Sequence, residues 1–337
     1  MIAAIDATPL TTSTGGVRRY TEELVRALRE TFAEDGFHLI SDQTQTVRGL
    51  DRRWWSIGVQ RAMSRLRCDI FHGVEFSVPY VPLRPSVLTL HDLSPWMNTE
   101  WHHGAGRVRT RTPHLIKLGI ATMIVTPTEA VRAQAIDSFK IEPSRIVAVH
   151  LAASSDFRPI EARQAERPYF IYVGVVEPRK NVLALIDAWK VVRRRHDVDL
   201  VIVGRMREDA PPISDYPGLK ILGEVPNSEL PALYSGAVAC VYPSLYEGFG
   251  LPILEAMQCG VAVITSCDAA LLEVSQGAAI HVEASRLAEA MEGLLVNEGE
   301  RLRRRELSLK RAAEFSWTTT ARRTREVYVQ AIQRFHA

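Results

Sequence analysis

Short β-rich runs alternate with helix-length runs from one end of the chain to the other, and the rhythm breaks once. Met1–Asp6, Asp69–Phe71, Ser86–Leu90, Met123–Thr126 and Arg145–Val149 read as strands, with Tyr20–Thr31 as an amphipathic helix among them. Between Ala152 and Pro168 the pattern gives way to a polar, proline-flanked stretch that reads as a linker. It then restarts. Tyr169–Gly174, Leu200–Gly204, Leu219–Leu222, Ala237–Tyr242 and Val261–Thr265 read as strands; Asn181–Arg195, Ser228–Ser235, Pro252–Gln258, Ser285–Val296 and Thr318–Phe335 read as helices. Such alternation is the mark of α/β architecture with parallel sheets. Domains are expected over 1–158 and 159–318, with a closing helix over 319–337. The halves share a rhythm, not a matching sequence. Ligands of such folds bind beyond the carboxyl ends of strands, so the residues that follow strands are the informative ones.

Composition removes several alternatives. With 46% hydrophobic and 24% charged residues the chain is globular, and 337 residues suit about two domains. A net charge of +2 is far from the footprint of a nucleic-acid binder, so no nucleic-acid partner is expected. The four cysteines, Cys68, Cys240, Cys259 and Cys267, show no metal-type spacing and read as reduced. Met1–Asp6 lacks a basic leading region, and no run approaches the ~18 apolar residues of a membrane span. The expectation is a cytoplasmic protein, peripheral at the inner face of the cell membrane. Residues 48–67 hold six arginines, one aspartate and the pair Trp54-Trp55. Tryptophan beside arginine on an amphipathic segment suits an anionic membrane surface. The plainer alternative is a solvated helix whose tryptophans pack inward.

The segment Pro243-Ser244-Leu245-Tyr246-Glu247-Gly248-Phe249-Gly250-Leu251-Pro252-Ile253-Leu254-Glu255 follows a buried strand. Two glycines let the backbone bend and approach a ligand. Pro252 suits the first helical position, so a helix N-terminus, a natural phosphate site, should face the ligand there. Glu247 and Glu255 repel phosphate; their natural partners are hydroxyls, of a sugar and of a ribose. Arg179 and Lys180 follow the strand Tyr169–Gly174 and are suited to a diphosphate.

Glu247 with seven residues before Glu255, inside Tyr-Glu-Gly-Phe-Gly-Leu-Pro, resembles the Glu-x7-Glu motif of family 4 retaining glycosyltransferases. Gly15-Gly16-Val17, Leu90-His91-Asp92, Glu177-Pro178-Arg179-Lys180-Asn181 and Phe315-Ser316-Trp317 extend the resemblance over nearly the whole chain. It implies the GT-B fold: two Rossmann-like domains facing across a cleft, with the C-terminal helix crossing back to the N-terminal domain. It implies a nucleotide sugar donor, Arg179 and Lys180 on its phosphates, and His91, Glu247, Phe249 and Gly250 on the transferred sugar. Gly15, Gly16 and Leu251 approach the phosphates, and Glu255 the ribose. His91, Glu247, Lys180 and Arg179 form the catalytic set. Many relatives carry arginine where this chain has Val175, which shifts weight onto Lys180. Tyr20, Asp92, Arg107 and Arg109 are candidates for the acceptor side; His102, His103, His114 and Lys117 add to the basic surface there.

The implied reaction is retaining transfer to a saccharide or lipid-linked saccharide in polysaccharide or lipopolysaccharide synthesis. No cofactor or metal is expected, since cationic side chains can replace a metal. The Glu-Pro-Arg-Lys-Asn and His-Asp-Leu-Ser segments look like those of bacterial mannosyltransferases, which favours GDP-mannose. A nucleotide-sugar epimerase of the same fold, a two-carboxylate glycoside hydrolase and a non-catalytic two-lobed sugar-binding protein are the rivals.

Overall fold

The computed structural model describes residues 1–11, 15–45, 49–102, 104–161 and 166–337. Arg48 and His103 therefore lie outside the described residues. The chain forms two compact units: Met1–Leu151 with Ser316–Ala337, and Ala152–Phe315. The units divide at 151/152 and 315/316, where the sequence reading placed divisions at 158/159 and 318/319.

The first unit contains β1 (Ile2–Asp6), α1 (Gly16–Thr31), β2 (Gly36–Ile40), α2 (Val59–Leu66), β3 (Ile70–Gly73), β4 (Ser86–Thr89), α3 (Ser94–Met97), α4 (Gly106–Lys117), β5 (Met123–Thr126), α5 (Glu129–Phe139) and β6 (Ile146–Ala148). Its sheet has the order β2-β1-β3-β4-β5-β6, and every pairing is parallel. All the strands thus present their carboxyl ends at one edge. The strand β2, unmarked in the sequence reading, pairs along the whole of β1.

The second unit contains β7 (Tyr169–Val173), α6 (Val182–Arg193), β8 (Asp199–Val203), β9 (Leu219–Gly223), α7 (Leu230–Ser235), β10 (Ala239–Tyr242), α8 (Leu251–Gln258), β11 (Val263–Thr265), α9 (Ala269–Ser275), β12 (Ile280–His281), α10 (Leu287–Val296) and α11 (Glu298–Ala312). Its parallel sheet runs β12-β11-β10-β7-β8-β9. The strand Tyr-Phe-Ile-Tyr-Val of β7 is buried throughout, as a central parallel strand requires. Helix α6 buries Val182, Leu185, Ile186, Trp189 and Val192 at helical spacing. The strand order reverses between β7 and β10, the place where ligands of open α/β sheets bind, and the loops after these two strands are joined by the Leu245 amide on the Arg179 carbonyl (2.9 Å). Arg179-Lys180 follows one of them and Glu247 the other.

The last helix, α12 (Trp317–His336), belongs to the first unit. Ser316 caps it by accepting from the Thr319 amide at 3.1 Å. Thr320 Oγ1 donates to the His150 carbonyl (2.7 Å) and Arg325 pairs with Asp35 (2.6 Å). Tyr328 lies fully buried. Among the described residues, no helix is long and apolar enough to cross a membrane.

Candidate active site

In the second unit, the chain leaves β7 at Gly174 and packs directly on the loop after β8. A Cβ at Gly204 (φ 135°) would sit 2.0 Å from the Gly174 carbonyl oxygen. The loops are zipped together by the Val176 amide on the Arg205 carbonyl (2.9 Å) and the Arg207 amide on the Val176 carbonyl (3.1 Å). A short turn, Pro178–Lys180, ends at Asn181 in the left-handed region (φ 54°). This turn sends both cations inward. Lys180 Nζ donates to Glu247 Oε1 at 2.5 Å and to Tyr242 Oη at 2.9 Å. Arg179 donates to the Tyr246 carbonyl (2.7 Å), to Glu247 Oε2 (3.4 Å) and to Glu177 Oε1 (2.9 Å). Arg207 joins Glu177 and forks onto Asp209.

Glu177, Arg179, Lys180 and Glu247 are all buried. Burial alone would raise the Glu247 carboxyl, but the charges of Lys180 and then Arg179 outweigh it and hold it at about 2. Burial and the neighbouring Arg179 hold the Lys180 ammonium below its ordinary value in spite of Glu247. Lys180 is thus a buried cation pulled both ways, the kind of group a ligand charge can retune.

Glu247 leads into Gly248-Phe249-Gly250. Gly250 (φ 87°) precedes α8, and no side chain caps that helix. A Cβ on Gly250 would meet Leu271 Cδ2 at 2.5 Å, so the turn needs glycine on both counts. The helix starts at Leu251, which corrects the expected start at Pro252 by one residue; Pro252 stands second, where its missing N–H is still harmless. Glu255 consequently lies beyond the first turn. It is buried, 1% exposed, with the Tyr234 hydroxyl 3.4 Å from Oε2. Phe249 is buried with its ring edge-on to Phe315.

Two charged neighbours escaped the sequence reading. Arg207 lies in the loop after β8, and only the zipping of two loops brings it to Glu177. Asp268 caps α9, accepting from the Ala270 and Leu271 amides. Burial pushes its carboxyl up to about 6, and the charge of Glu247 adds to that. A carboxylate three residues after β11, directly before the next helix, was the available signal.

In the first unit, His91 follows β4. Its Nε2–H donates to the Val74 carbonyl at 2.7 Å, and Tyr20 and Phe76 meet its ring edge-on at 4.9 and 6.4 Å. Burial lowers its pKa, so the neutral imidazole keeps Nδ1 as an acceptor. Gly15 (φ 134°) caps α1 and Gly16 opens it; among the described residues, nothing beyond their own neighbours along the chain lies within 4 Å of a Cβ at either position.

The acceptor candidates fare differently. Tyr20 is 2% exposed and its hydroxyl is 3.1 Å from Thr89 Oγ1, so it does not present itself to an acceptor. Asp92 takes the Ser94 amide (2.8 Å) and hydroxyl (2.6 Å) at the start of α3, a local structural role. Arg107 is exposed on α4; Arg109 turns back to the His102 carbonyl. In the basic segment, Trp54 is buried and Trp55 packs on Phe71 and Tyr80. Of the two readings of this segment, tryptophans packed inward are the one observed. Arg52, Arg53, Arg61, Arg65 and Arg67 remain exposed. Among the described residues, no three His, Cys, Asp or Glu side chains gather as a metal site.

The family model for Glycosyl transferases group 1 matches residues 167–297, the span that carries this cluster. The chain is 33% identical over 290 residues to O-antigen chain mannosyltransferase B of Escherichia coli, covering 77% of the chain and 74% of that protein. The chain belongs to the group 1 glycosyltransferases. It is also 27% identical over 262 residues to the O-antigen chain mannosyltransferase RfbU of Salmonella typhimurium, covering 73% and 70%. It matches the serotype-specific mannosyltransferase WbdA of Escherichia coli too, at 27%, but spans 34% of that longer protein. Among solved structures, this glycosyltransferase shares its fold with sucrose-phosphate synthase from Thermosynechococcus elongatus (TM-score 0.76, 18% identity, 98% of each chain). It does so with WaaG, a lipopolysaccharide glycosyltransferase, at TM-score 0.70 and 15% identity, over 96% and 98% of the chains. These likenesses place it in the GT-B fold.

Proposed function

We propose that this glycosyltransferase moves a mannosyl residue from GDP-mannose to a saccharide or lipid-linked saccharide acceptor in polysaccharide assembly, with retention and without a metal. The observation that carries the proposal is the buried Lys180–Glu247–Arg179 cluster at the strand reversal, beside the uncapped start of α8. The mannosyltransferase relatives support the sugar and the class of acceptor.

In this mechanism the bond from the anomeric carbon to the phosphate oxygen breaks as the bond to the acceptor oxygen forms. The acceptor proton passes to the leaving phosphate. Negative charge grows on the diphosphate, where Lys180, Arg179 and the Gly250 and Leu251 amides at the start of α8 offset it. With six side chains, three of each sign, the resting cluster is neutral (Glu177, Glu247, Asp209; Arg179, Lys180, Arg207). The incoming diphosphate therefore draws Lys180 from Glu247, and the released carboxylate accepts a sugar hydroxyl. His91 accepts a second sugar hydroxyl at Nδ1, and Glu255 serves the ribose.

The test is a thermal-shift panel of GDP, UDP, ADP and dTDP, followed by turnover of the matching nucleotide sugars with mannose-terminated acceptors. A GDP-selective rise in melting point, and an α-configured product by NMR, are expected. Interconverted sugar without transfer would establish the epimerase instead. For the membrane partner, the exposed arginines of 49–67 are proposed to dock on anionic lipid. Salt-insensitive failure to pellet with anionic vesicles would dismiss it.

A further inference from the structure

Four buried side chains form a hydrogen-bonded file through the first unit, and the file ends against His91. Tyr328 Oη on α12 is 2.7 Å from His72 Nδ1 on β3, a residue 256 positions away in sequence. His72 Nε2 is 2.7 Å from Thr89 Oγ1, at the end of β4. Thr89 Oγ1 is 3.1 Å from Tyr20 Oη on α1. All four residues are buried, His72 and Tyr328 completely. The Tyr20 ring then stands edge-on to the His91 imidazole, 4.9 Å between centres and 86° between planes.

The chemistry proposed above uses none of His72, Thr89 and Tyr328. Buried polar groups are costly unless each finds a partner, and here both nitrogens of His72 are satisfied. Burial drives the imidazole down to about 3, so it is neutral at working pH and carries one N–H. It must accept at one nitrogen and donate at the other. That fixes the direction of the hydroxyls on either side and locks the file as a unit. His91 meets the file twice: Thr89 is two residues before it, and Tyr20 packs on its ring. On the other side it is held by the Val74 carbonyl and by Phe76, whose backbone lies in the left-handed region (φ 51°).

We propose that Tyr328, His72 and Thr89 are positioning residues for His91: the C-terminal helix sets, through this file, the pose of the imidazole that meets the transferred sugar. The inference rests on the role given to His91 above.

The test is a double-mutant cycle. Tyr328→Phe and Thr89→Val each lower kcat about tenfold, as a sub-ångström misplacement of a contact group does. Donor KM stays within about twofold. Thr89→Ser, which keeps the hydroxyl, restores kcat. In a His91→Ala background neither substitution lowers kcat further. Additive losses in that background, or wild-type kcat in Tyr328→Phe and Thr89→Val, overturn the proposal. If Tyr328→Phe does not fold, the Thr89→Val and Thr89→Ser pair decides the matter. A second readout needs no turnover: the His91 Hε1 resonance, shifted by the Tyr20 ring, moves in Tyr328→Phe, and an unmoved resonance also overturns the file. Nucleotide sugars left uncleaved by the wild-type protein would sink the functional reading, leaving the resonance to judge the file. Wild-type turnover in His91→Ala would remove the role of His91 and the file with it, while the Lys180 cluster would stand.

Discussion

Glu247→Gln separates the two roles assigned to that carboxylate, since it keeps the shape and removes the charge. In the folded chain the Glu247 carboxyl is held at about 2 against an ordinary 4.5. At neutral pH that difference corresponds to about 3 kcal/mol of folding stability. A carboxyl depressed by folding contributes fully above 4.5, and the contribution fades as pH falls from 4.5 toward 2. Burial and Arg179 already hold Lys180 below its ordinary value. When Glu247 is neutralised, the glutamine still accepts a hydrogen bond from Lys180, which recovers part of the loss. The expected cost is therefore about 2–3 kcal/mol at pH 7, or a melting point lower by roughly 4–12 °C for a domain of this size. Urea melts of wild type and variant between pH 3 and 7 measure it. The two should converge as the pH falls. The functional arm points the other way: with no carboxylate competing for Lys180, GDP should bind about tenfold tighter, about 1.4 kcal/mol, while transfer falls. A stability change below about 0.5 kcal/mol with an unchanged acid limb would refute the electrostatic reasoning. Weaker GDP binding in a folded variant would refute the exchange of partners.

Four other substitutions probe separate parts of the site. Lys180→Ala should cut transfer by roughly 10²–10³, the scale of a lost oxyanion contact, and near wild-type turnover would argue against the phosphate role. Glu255→Ala should raise donor KM sharply while removing a buried partner of Tyr234; an unchanged KM in a folded variant would restrict Glu255 to packing. Gly204→Ala places a methyl 2.0 Å from the Gly174 carbonyl and should destabilise the second unit by about 3 kcal/mol or more, read by circular-dichroism melting; a stable variant would mean that the two loops part easily. Gly250→Ala meets a side-chain atom of Leu271 at 2.5 Å and a left-handed backbone, so a milder loss of about 1–3 kcal/mol is expected by the same measurement.

The parts of the site that were legible from the chain are those whose spacing is local. The double glycine, the proline and Glu247 had to fall where a buried strand turns into a helix, because only that backbone accepts them in that order. The register of α8 was off by one residue because Leu251 and Pro252 both tolerate the helix start. The cations beside Asn181 were legible as residues but not as partners: the sequence pointed them at a ligand, whereas in the fold they meet Glu177 and Glu247 across 67 or 68 positions or within the same turn. Tyr20 looked available because helical periodicity says which face is apolar, not how deeply it sinks. The tryptophans of the basic segment were open to two readings for the same reason. Arg207, Asp268 and His72 carried no motif, and each has its significance from a contact with another strand or loop.

Taken alone, the order of residues determined the α/β class, the two-fold rhythm and the loop chemistry, since alternation, turn residues and helix starts are set by interactions within a few positions. Tertiary structure decided the rest. Sheet order placed the loops after β7 and β10 side by side, and burial converted exposed-looking charges into a paired, retunable cluster. The return of α12 to the first unit joined Tyr328 to His72. Charge and hydrogen-bond strengths depend on distance and on the exclusion of water, and neither quantity exists until the chain has folded.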